Sequence, residues 1–187
     1  FPIPPKIGKK NIQMAGCVRW AGASIDTEQN ILYVSVDQFP YISTIIENKN
    51  FKGKYTHKWE YFVDKKNNPG IKPPWGAIVA LDLNLGKIKW KVPFGNFDEL
   101  KNIYNNDTGT TNRSGVTASR GNLIFASGTK DNKFRVFDSN NGNKLWSYTM
   151  SNAGSAPPTV YEINGKQFIV VPAFENGGKK IYSFTLK

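Results

Sequence analysis

Residues 129–146, TKDNKFRVFDSNNGNKLW, decide the fold of this chain. They predict a strand, a turn and a second strand, because a half-apolar run ends at Asp138, a polar cluster closes at Gly142 and a new run begins at Leu145. A carboxylate at the mouth of a turn can accept backbone N–H bonds, and a glycine four residues later can adopt a positive φ without a Cβ clash. The residues therefore specify this turn chemically.

The same pattern occurs earlier, in residues 79–90, VALDLNLGKIKW. Three positions match at one common offset, with Asp138 lying 56 residues after Asp82. The matched pairs are Asp82 and Asp138, Gly86 and Gly142, and Trp90 and Trp146. An internal repeat of about this length is typical of a propeller blade or a solenoid unit.

The composition favours an all-β protein. The chain has 187 residues, with 13% aromatic residues, 17 glycines and 11 prolines, and no long stretch has the apolar rhythm of a helix. The net charge is +11, but only four of the basic residues are arginines and the lysines are scattered through Asn-rich turns. We interpret this as a solvated basic surface, so that nucleic acid is not an expected partner.

Single cysteine and histidine residues narrow the possible chemistry. Cys17 is the only cysteine and His57 the only histidine, which excludes an internal disulfide, a zinc cluster and a multi-histidine metal site. For His57 a surface loop is the favoured interpretation over a general base. No apolar run approaches the length of a membrane span. Because the chain begins with Phe1, we expect it to have been processed or cut, with any targeting segment lost.

The order of segments predicts one partial propeller domain over residues 1–187, with about eleven strands in three antiparallel groups. Each group is a blade of about four strands, and Trp90 and Trp146 are predicted to fill the seams between blades. The predicted divisions are an N-terminal arm (1–15), a blade (16–93) with an insertion lacking regular structure (38–74), a second blade (112–150) and a third, incomplete blade (156–187).

The Asp-Gly-Trp repeat resembles the tryptophan-docking repeat of the quinoproteins, the propeller dehydrogenases that use pyrroloquinoline quinone (PQQ). The order of segments is most similar to the C-terminal blades of the membrane-bound glucose dehydrogenase branch. The resemblance runs from Gly16 to Leu186. It rests on Trp20-Ala21-Gly22, Ile25-Asp26, Leu32-Tyr33-Val34, Pro74-Trp75-Gly76, Ala80-Leu81-Asp82, Gly109-Thr110-Thr111-Asn112, Gly115, Asp131-Asn132, Arg135, Ala156-Pro157-Pro158-Thr159 and Gly165-Lys166-Gln167-Phe168.

The resemblance implies that Arg19, Trp20, Asn112 and Asp131 bind or line the site of PQQ. From the residues alone, Asp131 is also explained as a turn-capping carboxylate and Trp20 as a core aromatic. Two positions depart from the family pattern, since Arg19 replaces an asparagine and Glu175 lies where the family has Gly-Gly-His. The resemblance places the general base, its lysine partner and the ligands of a Ca or Mg ion in earlier blades, so that the catalytic residues are unknown and no metal site is expected here.

The expected function is therefore that of a fragment of a PQQ-dependent sugar or alcohol dehydrogenase, an oxidoreductase that faces the bacterial periplasm. By the resemblance, its partners are a small sugar or alcohol and a quinone or cytochrome electron acceptor, with membrane contact only through the rest of the parent protein. The fragment alone is expected to be inactive, and its open blade faces are expected to self-associate. The alternative is a non-catalytic propeller of the same shape that serves as a protein-binding scaffold.

Overall fold

The computed structural model describes residues 5–50, 52–104, 108–175 and 178–185, and within these ranges it describes residues 15, 17, 19, 20, 101 and 175 by their backbone alone. The described chain contains twelve strands and one short helix, α1 (Lys101–Tyr104), which follows a 3₁₀ turn at Asp98–Leu100. The strands are β1 (Asn11–Asp26), β2 (Ile31–Glu47), β3 (Tyr55–Tyr61), β4 (Gly76–Asp82), β5 (Lys87–Pro93), β6 (Val116–Ser119), β7 (Leu123–Ala126), β8 (Lys133–Asp138), β9 (Lys144–Thr149), β10 (Thr159–Ile163), β11 (Lys166–Glu175) and β12 (Gly178–Thr185).

These strands form three sheets. The first has the order β1-β2-β4-β5 with β3 added to β2, the second the order β6-β7-β8-β9, and the third the order β10-β11-β12. Neighbouring strands such as β7 and β8, or β11 and β12, run antiparallel. The all-β class and the arrangement in three antiparallel sheets are as predicted. No helix in the described ranges has the length and hydropathy needed to cross a membrane.

The chain divides into two compact units. We call residues 1–16 with 38–72 the hairpin unit, and residues 17–37 with 73–187 the sheet unit. The division of the chain into blades stays a prediction.

In the sheet unit, two apolar cores lie on either side of β7. Because side chains alternate along a strand, Ile124 and Ala126 face one core while Phe125 faces the other. The first core joins β7 to residues of β2 and β4, including Tyr33 and Ile78. The remaining members of the first core are Ile31, Ala80, Phe94, Val116 and Phe137, and those of the second core are Phe134, Met150, Ile169 and Val171.

The repeated turns have the predicted chemistry. The carboxylate of Asp138 accepts the N–H of Asn140 at 2.7 Å, and Gly142 has a φ of 76°. In the earlier copy the carboxylate of Asp82 accepts the N–H of Asn84 at 2.9 Å, and Gly86 has a φ of 62°. The aspartate in each case satisfies donors of the turn, and the glycine adopts a conformation that other residues rarely take.

The two tryptophans of the repeat lie in different surroundings. The Nε1 of Trp90 donates to the carbonyl of Ser139 at 2.8 Å, and the ring centroids of Trp90 and Tyr33 are 5.9 Å apart. Trp146 is 45% exposed and packs against the rings of Phe134 and Phe184, with ring centroids 6.0 and 5.7 Å apart. Both tryptophans thus pack between sheets, and Trp90 also has a polar anchor.

The hairpin unit differs from the predicted arm and unstructured insertion. β1 begins at Asn11, so that residues 11–15 are strand, and Gly8 N donates to Ile45 O at 2.8 Å. β2 continues to Glu47, and its residues 41–47 pair with β3. The reason is the β-branched run that follows Pro40, which favours a strand strongly enough to outweigh the proline.

His57 also differs from the prediction, because it lies on β3 and not in a loop. Its Nε2 is 2.8 Å from the hydroxyl of Ser43 on the paired strand.

Candidate functional site

A buried segment, residues 108–114, connects the first and second sheets within the sheet unit. On one side, Trp75 N donates to Thr108 O at 2.7 Å and Thr110 N donates to Phe94 O at 2.8 Å. On the other, Arg113 N donates to Gly128 O at 3.0 Å. The segment is therefore held by backbone bonds to both sheets.

Two glycines let the backbones meet at this segment. A Cβ on Gly109, whose φ is 58°, would lie 2.1 Å from the carbonyl oxygen of Gly76. A Cβ on Gly76 would lie 1.9 Å from the carbonyl oxygen of Thr110. Neither position can accept a side chain. The Trp75-Gly76 and Gly109-Thr110 motifs, which are separate in sequence, thus form one contact.

Asn112 pairs with a carboxylate that the sequence did not single out. Asn112 is fully buried and Asp37 is 2% exposed. The backbone N–H and the side-chain Nδ2 of Asn112 both donate to Oδ1 of Asp37, at 3.2 and 2.8 Å. The available signal was the position of Asp37 inside a long β-branched and aromatic strand, where aspartate is unfavourable without a partner.

Asp131 forms a buried ion pair with Arg135. The two side chains are 0% and 5% exposed, and both guanidinium Nη atoms donate to the carboxylate. The carboxylate also accepts the hydroxyl of Thr129 at 2.7 Å and the N–H of Asn96 at 3.0 Å. Burial acts to raise the pKa of Asp131, but the hydrogen bonds and the charge of Arg135 prevail and hold this pKa below its usual value.

Asn112 and Asp131 meet through Thr129. Asn112 forms a β-bridge with Thr129, whose hydroxyl donates to Asp131. We call Asp37, Asn112, Thr129, Asp131 and Arg135 the polar corner. The Asp131–Arg135 ion pair and the Asp37–Asn112 hydrogen bonds together fix the position of the 108–114 segment.

The ion pair of Asp131 and Arg135 does not fit direct contact with a polyanionic cofactor. Both oxygens of Asp131 accept hydrogen bonds from the protein, and the charge of Arg135 is used in neutralising them. The Nδ2 group of the Asn112 amide donates to Asp37. For Asp131 the geometry agrees with the simpler interpretation of a structural carboxylate, extended by the ion pair. Among the side chains that the structure describes, no three His, Cys, Asp or Glu residues come together as a metal site.

The remaining predicted cofactor residues cannot be compared with the polar corner. Arg19 and Trp20 belong to β1 and Glu175 ends β11, but their side chains are not among the described ones. Their proximity to a cofactor stays a prediction.

Known proteins are similar to this chain in sequence and in fold. Quinoprotein glucose dehydrogenase A of Acinetobacter calcoaceticus is 28% identical over 87% of this chain and 23% of its own length, and the quinoprotein glucose dehydrogenase of Escherichia coli K12 is 28% identical over 87% and 24%. The structure of quinohemoprotein alcohol dehydrogenase from Comamonas testosteroni matches 95% of this chain and 28% of its own, with a TM-score of 0.68 and 16% identity.

The chain spans about a quarter of the length of these curated relatives. A family model described as the β-propeller domain of PQQ-dependent glucose, ethanol and alcohol dehydrogenases matches residues 10–169. This match agrees with the resemblance found in the sequence and includes the polar corner. The chain therefore belongs to the PQQ-dependent dehydrogenase β-propeller family.

Proposed function

We propose that this chain is the C-terminal part of a PQQ-dependent sugar or alcohol dehydrogenase of the glucose dehydrogenase branch, and that it forms part of the wall of the cofactor cavity. The observation that carries the proposal is the family match over residues 10–169. Relatives named as glucose and glycerol dehydrogenases support a sugar or alcohol substrate. The complete protein would face the periplasm, use a Ca or Mg ion held by its other blades and reduce a quinone or cytochrome.

Within this proposal the predicted site residues have different tasks. Arg19 and Trp20 are the candidates for direct contact with the cofactor, since a guanidinium suits carboxylate and quinone oxygens. Asn112 and Asp131 are positioning residues, which act through Asp37 and Arg135 by holding the 108–114 segment. This division is supported by the hydrogen bonds that occupy Asp131 and Asn112.

One observation favours the alternative of a non-catalytic scaffold. Of the four predicted cofactor residues, the two with described side chains are both engaged inside the protein. The Arg19 and Glu175 departures point the same way, since a carboxylate is unfavourable beside an anion unless a cation lies between them.

Reconstitution of the full-length protein tests the two functions. The protein is expressed without cofactor, PQQ is added with calcium or magnesium, and dye reduction is followed for a panel of sugars and alcohols. A dehydrogenase gives PQQ-dependent dye reduction, which Arg19→Ala weakens. Arg120→Ala is the matched control, because that side chain is 95% exposed and lies 3.7 Å from Glu28. Silence across the panel, with no quenching of tryptophan fluorescence by PQQ, would establish the scaffold instead.

A further inference from the structure

One face of the hairpin unit carries a row of aromatic rings. Strands place alternate residues on one face, so the β2–β3 register puts residues 41 and 61, 43 and 59, and 47 and 55 on the same side. Phe39 joins this side through an edge-to-face contact with Tyr61, at 5.0 Å between ring centroids. We call the rings of this side the aromatic face: Phe39, Tyr41, Tyr55, Trp59 and Tyr61.

The aromatic face is open to solvent. Tyr55, Trp59 and Tyr61 are 42%, 54% and 57% exposed. The rings of Trp59 and Tyr61 pack edge to face, with their centroids 5.1 Å apart, and both side chains remain exposed. Exposed Ile7, Ile12 and Met14 belong to the same unit. Such a concentration of exposed apolar groups indicates an interaction surface.

The charge of the chain is concentrated in this unit. By sequence, residues 1–16 and 38–72 contain ten lysines, no arginine and three acidic residues, which gives +7 of the total of +11. Several exposed lysines stand in the turns at the two ends of the hairpin, namely Lys49, Lys52, Lys54, Lys65 and Lys66. One of the acidic residues, Glu60, is paired with Lys58 at 2.9 Å and Lys10 at 3.4 Å. The aromatic face is therefore framed by positive charge.

We propose that the hairpin unit docks on the surface of an anionic phospholipid bilayer. Tryptophan and tyrosine rings have the amphipathic character that suits the headgroup region, and lysines at either end are attracted by anionic lipids. This attachment is peripheral and independent of the proposed enzymatic function, and it departs from the expectation that membrane contact is made only through the rest of the parent protein.

Nucleic acid explains these features less well. Aromatic rings can stack on bases, but base and phosphate recognition favours arginine, which this unit lacks. A nucleic acid also gives no role to exposed isoleucine and methionine side chains.

Vesicle co-sedimentation of the full-length protein tests the proposal. The vesicles are pure phosphatidylcholine or phosphatidylcholine with one phosphatidylglycerol in four lipids, at low ionic strength. We expect binding to the anionic vesicles alone. Trp59→Ala with Tyr61→Ala should weaken it, and so should the triple variant Lys49→Gln, Lys52→Gln and Lys65→Gln. Because each lysine near an anionic surface strengthens partitioning about fivefold, the triple variant should lower the partition coefficient at least about tenfold.

The matched control is Lys87→Gln with Lys89→Gln and Lys91→Gln, which removes the same charge from exposed residues of β5 in the sheet unit. We expect it to change partitioning by less than about twofold, with unchanged circular dichroism in all variants. Three results would overturn the proposal: no binding to anionic vesicles, an equal loss in the β5 control, or tighter binding of single-stranded oligo-dT that the same hairpin variants abolish.

Discussion

The indole of Trp90 in the first sheet donates its N–H to the carbonyl of Ser139 in a turn of the second sheet, over 2.8 Å. The contact ties the two copies of the sequence repeat together. Trp90→Phe keeps most of the ring area and removes the hydrogen bond, so we expect it to lower the free energy of unfolding by about 1 kcal/mol. Urea denaturation of the full-length protein measures this. Trp146→Phe, at a ring that is 45% exposed, should cost less, and an equal loss would contradict a special role for the Ser139 bond.

The two turn glycines provide a second, matched prediction. Gly142 and Gly86 both have positive φ, but a Cβ on Gly142 would lie 2.8 Å from Cε3 of Trp90, whereas a Cβ on Gly86 meets nothing within 4 Å. Gly86→Ala should therefore cost about 1–2 kcal/mol of stability from the backbone alone. Gly142→Ala should cost about 1–3 kcal/mol more because it also displaces the indole. Thermal and urea unfolding compare the two variants, and similar losses would refute the contact.

Asp131→Asn tests the buried ion pair. Removing the carboxylate leaves Arg135 buried without its counter-charge, and we expect a loss of about 3–5 kcal/mol at neutral pH. Asp131→Asn combined with Arg135→Met should recover much of this loss, since no buried charge is left unpaired. If the double variant is as unstable as the single one, the pair is not the source of the effect.

The pH dependence of this pair has a definite sign. The pKa of Asp131 is lowered by folding from its usual value of 3.8, so the ionised group stabilises the native state above that value. The contribution is lost as the pH falls from about 4 through the lower pKa of the folded state. The stability difference between the parent protein and Asp131→Asn should be constant from about pH 5 to 7 and should shrink below about pH 4. Urea midpoints across this range measure it, and a difference that grows in acid would contradict the assignment.

A variant of the Asp37–Asn112 pair should lose stability toward high pH, whereas the contribution of Asp131 is lost toward low pH. Asn112→Asp places a second carboxylate within hydrogen-bond distance of Asp37 in a buried site, where two negative charges repel each other. The stability of this variant should fall as the pH rises and both carboxyl groups become ionised, with a cost of at least about 2 kcal/mol at pH 8. The exchanged variant, Asp37→Asn with Asn112→Asp, restores one carboxylate and one amide and should regain part of the loss. A penalty independent of pH would mean that only packing is disturbed.

The sequence predicted the features that depend on neighbouring residues. The Asp138 turn and its copy at Asp82 are each determined by a few adjacent residues, and the predicted hydrogen bond to the aspartate is present in both. The three antiparallel sheets follow from the same local signals. The family resemblance is confirmed by the match over residues 10–169.

The features that the sequence did not predict depend on contacts between residues that are distant in sequence or in different strands. Asp37 and Asn112 are 75 residues apart, and only the fold shows that the amide is used by the carboxylate. Strand β3 was missed because Pro40 and the charged turns around it resemble a loop, whereas cross-strand partners such as Tyr41 and Tyr61 stabilise it. The ion pair of Asp131 depended on Arg135, which the sequence marked only as part of a motif.

The backbone contact between Gly76 and Gly109 sets the spacing of the main chain at the polar corner independently of the side chains there. Because main chain meets main chain there, the spacing is set by atoms that every protein of this sequence pattern shares, and no side chain can widen or narrow it. Residues on either side can then change their charge or hydrogen bonding while the frame that carries them keeps its dimensions. The charges and hydrogen bonds of this corner can thus change by substitution, whereas an insertion within 108–114 would disrupt the backbone contact itself.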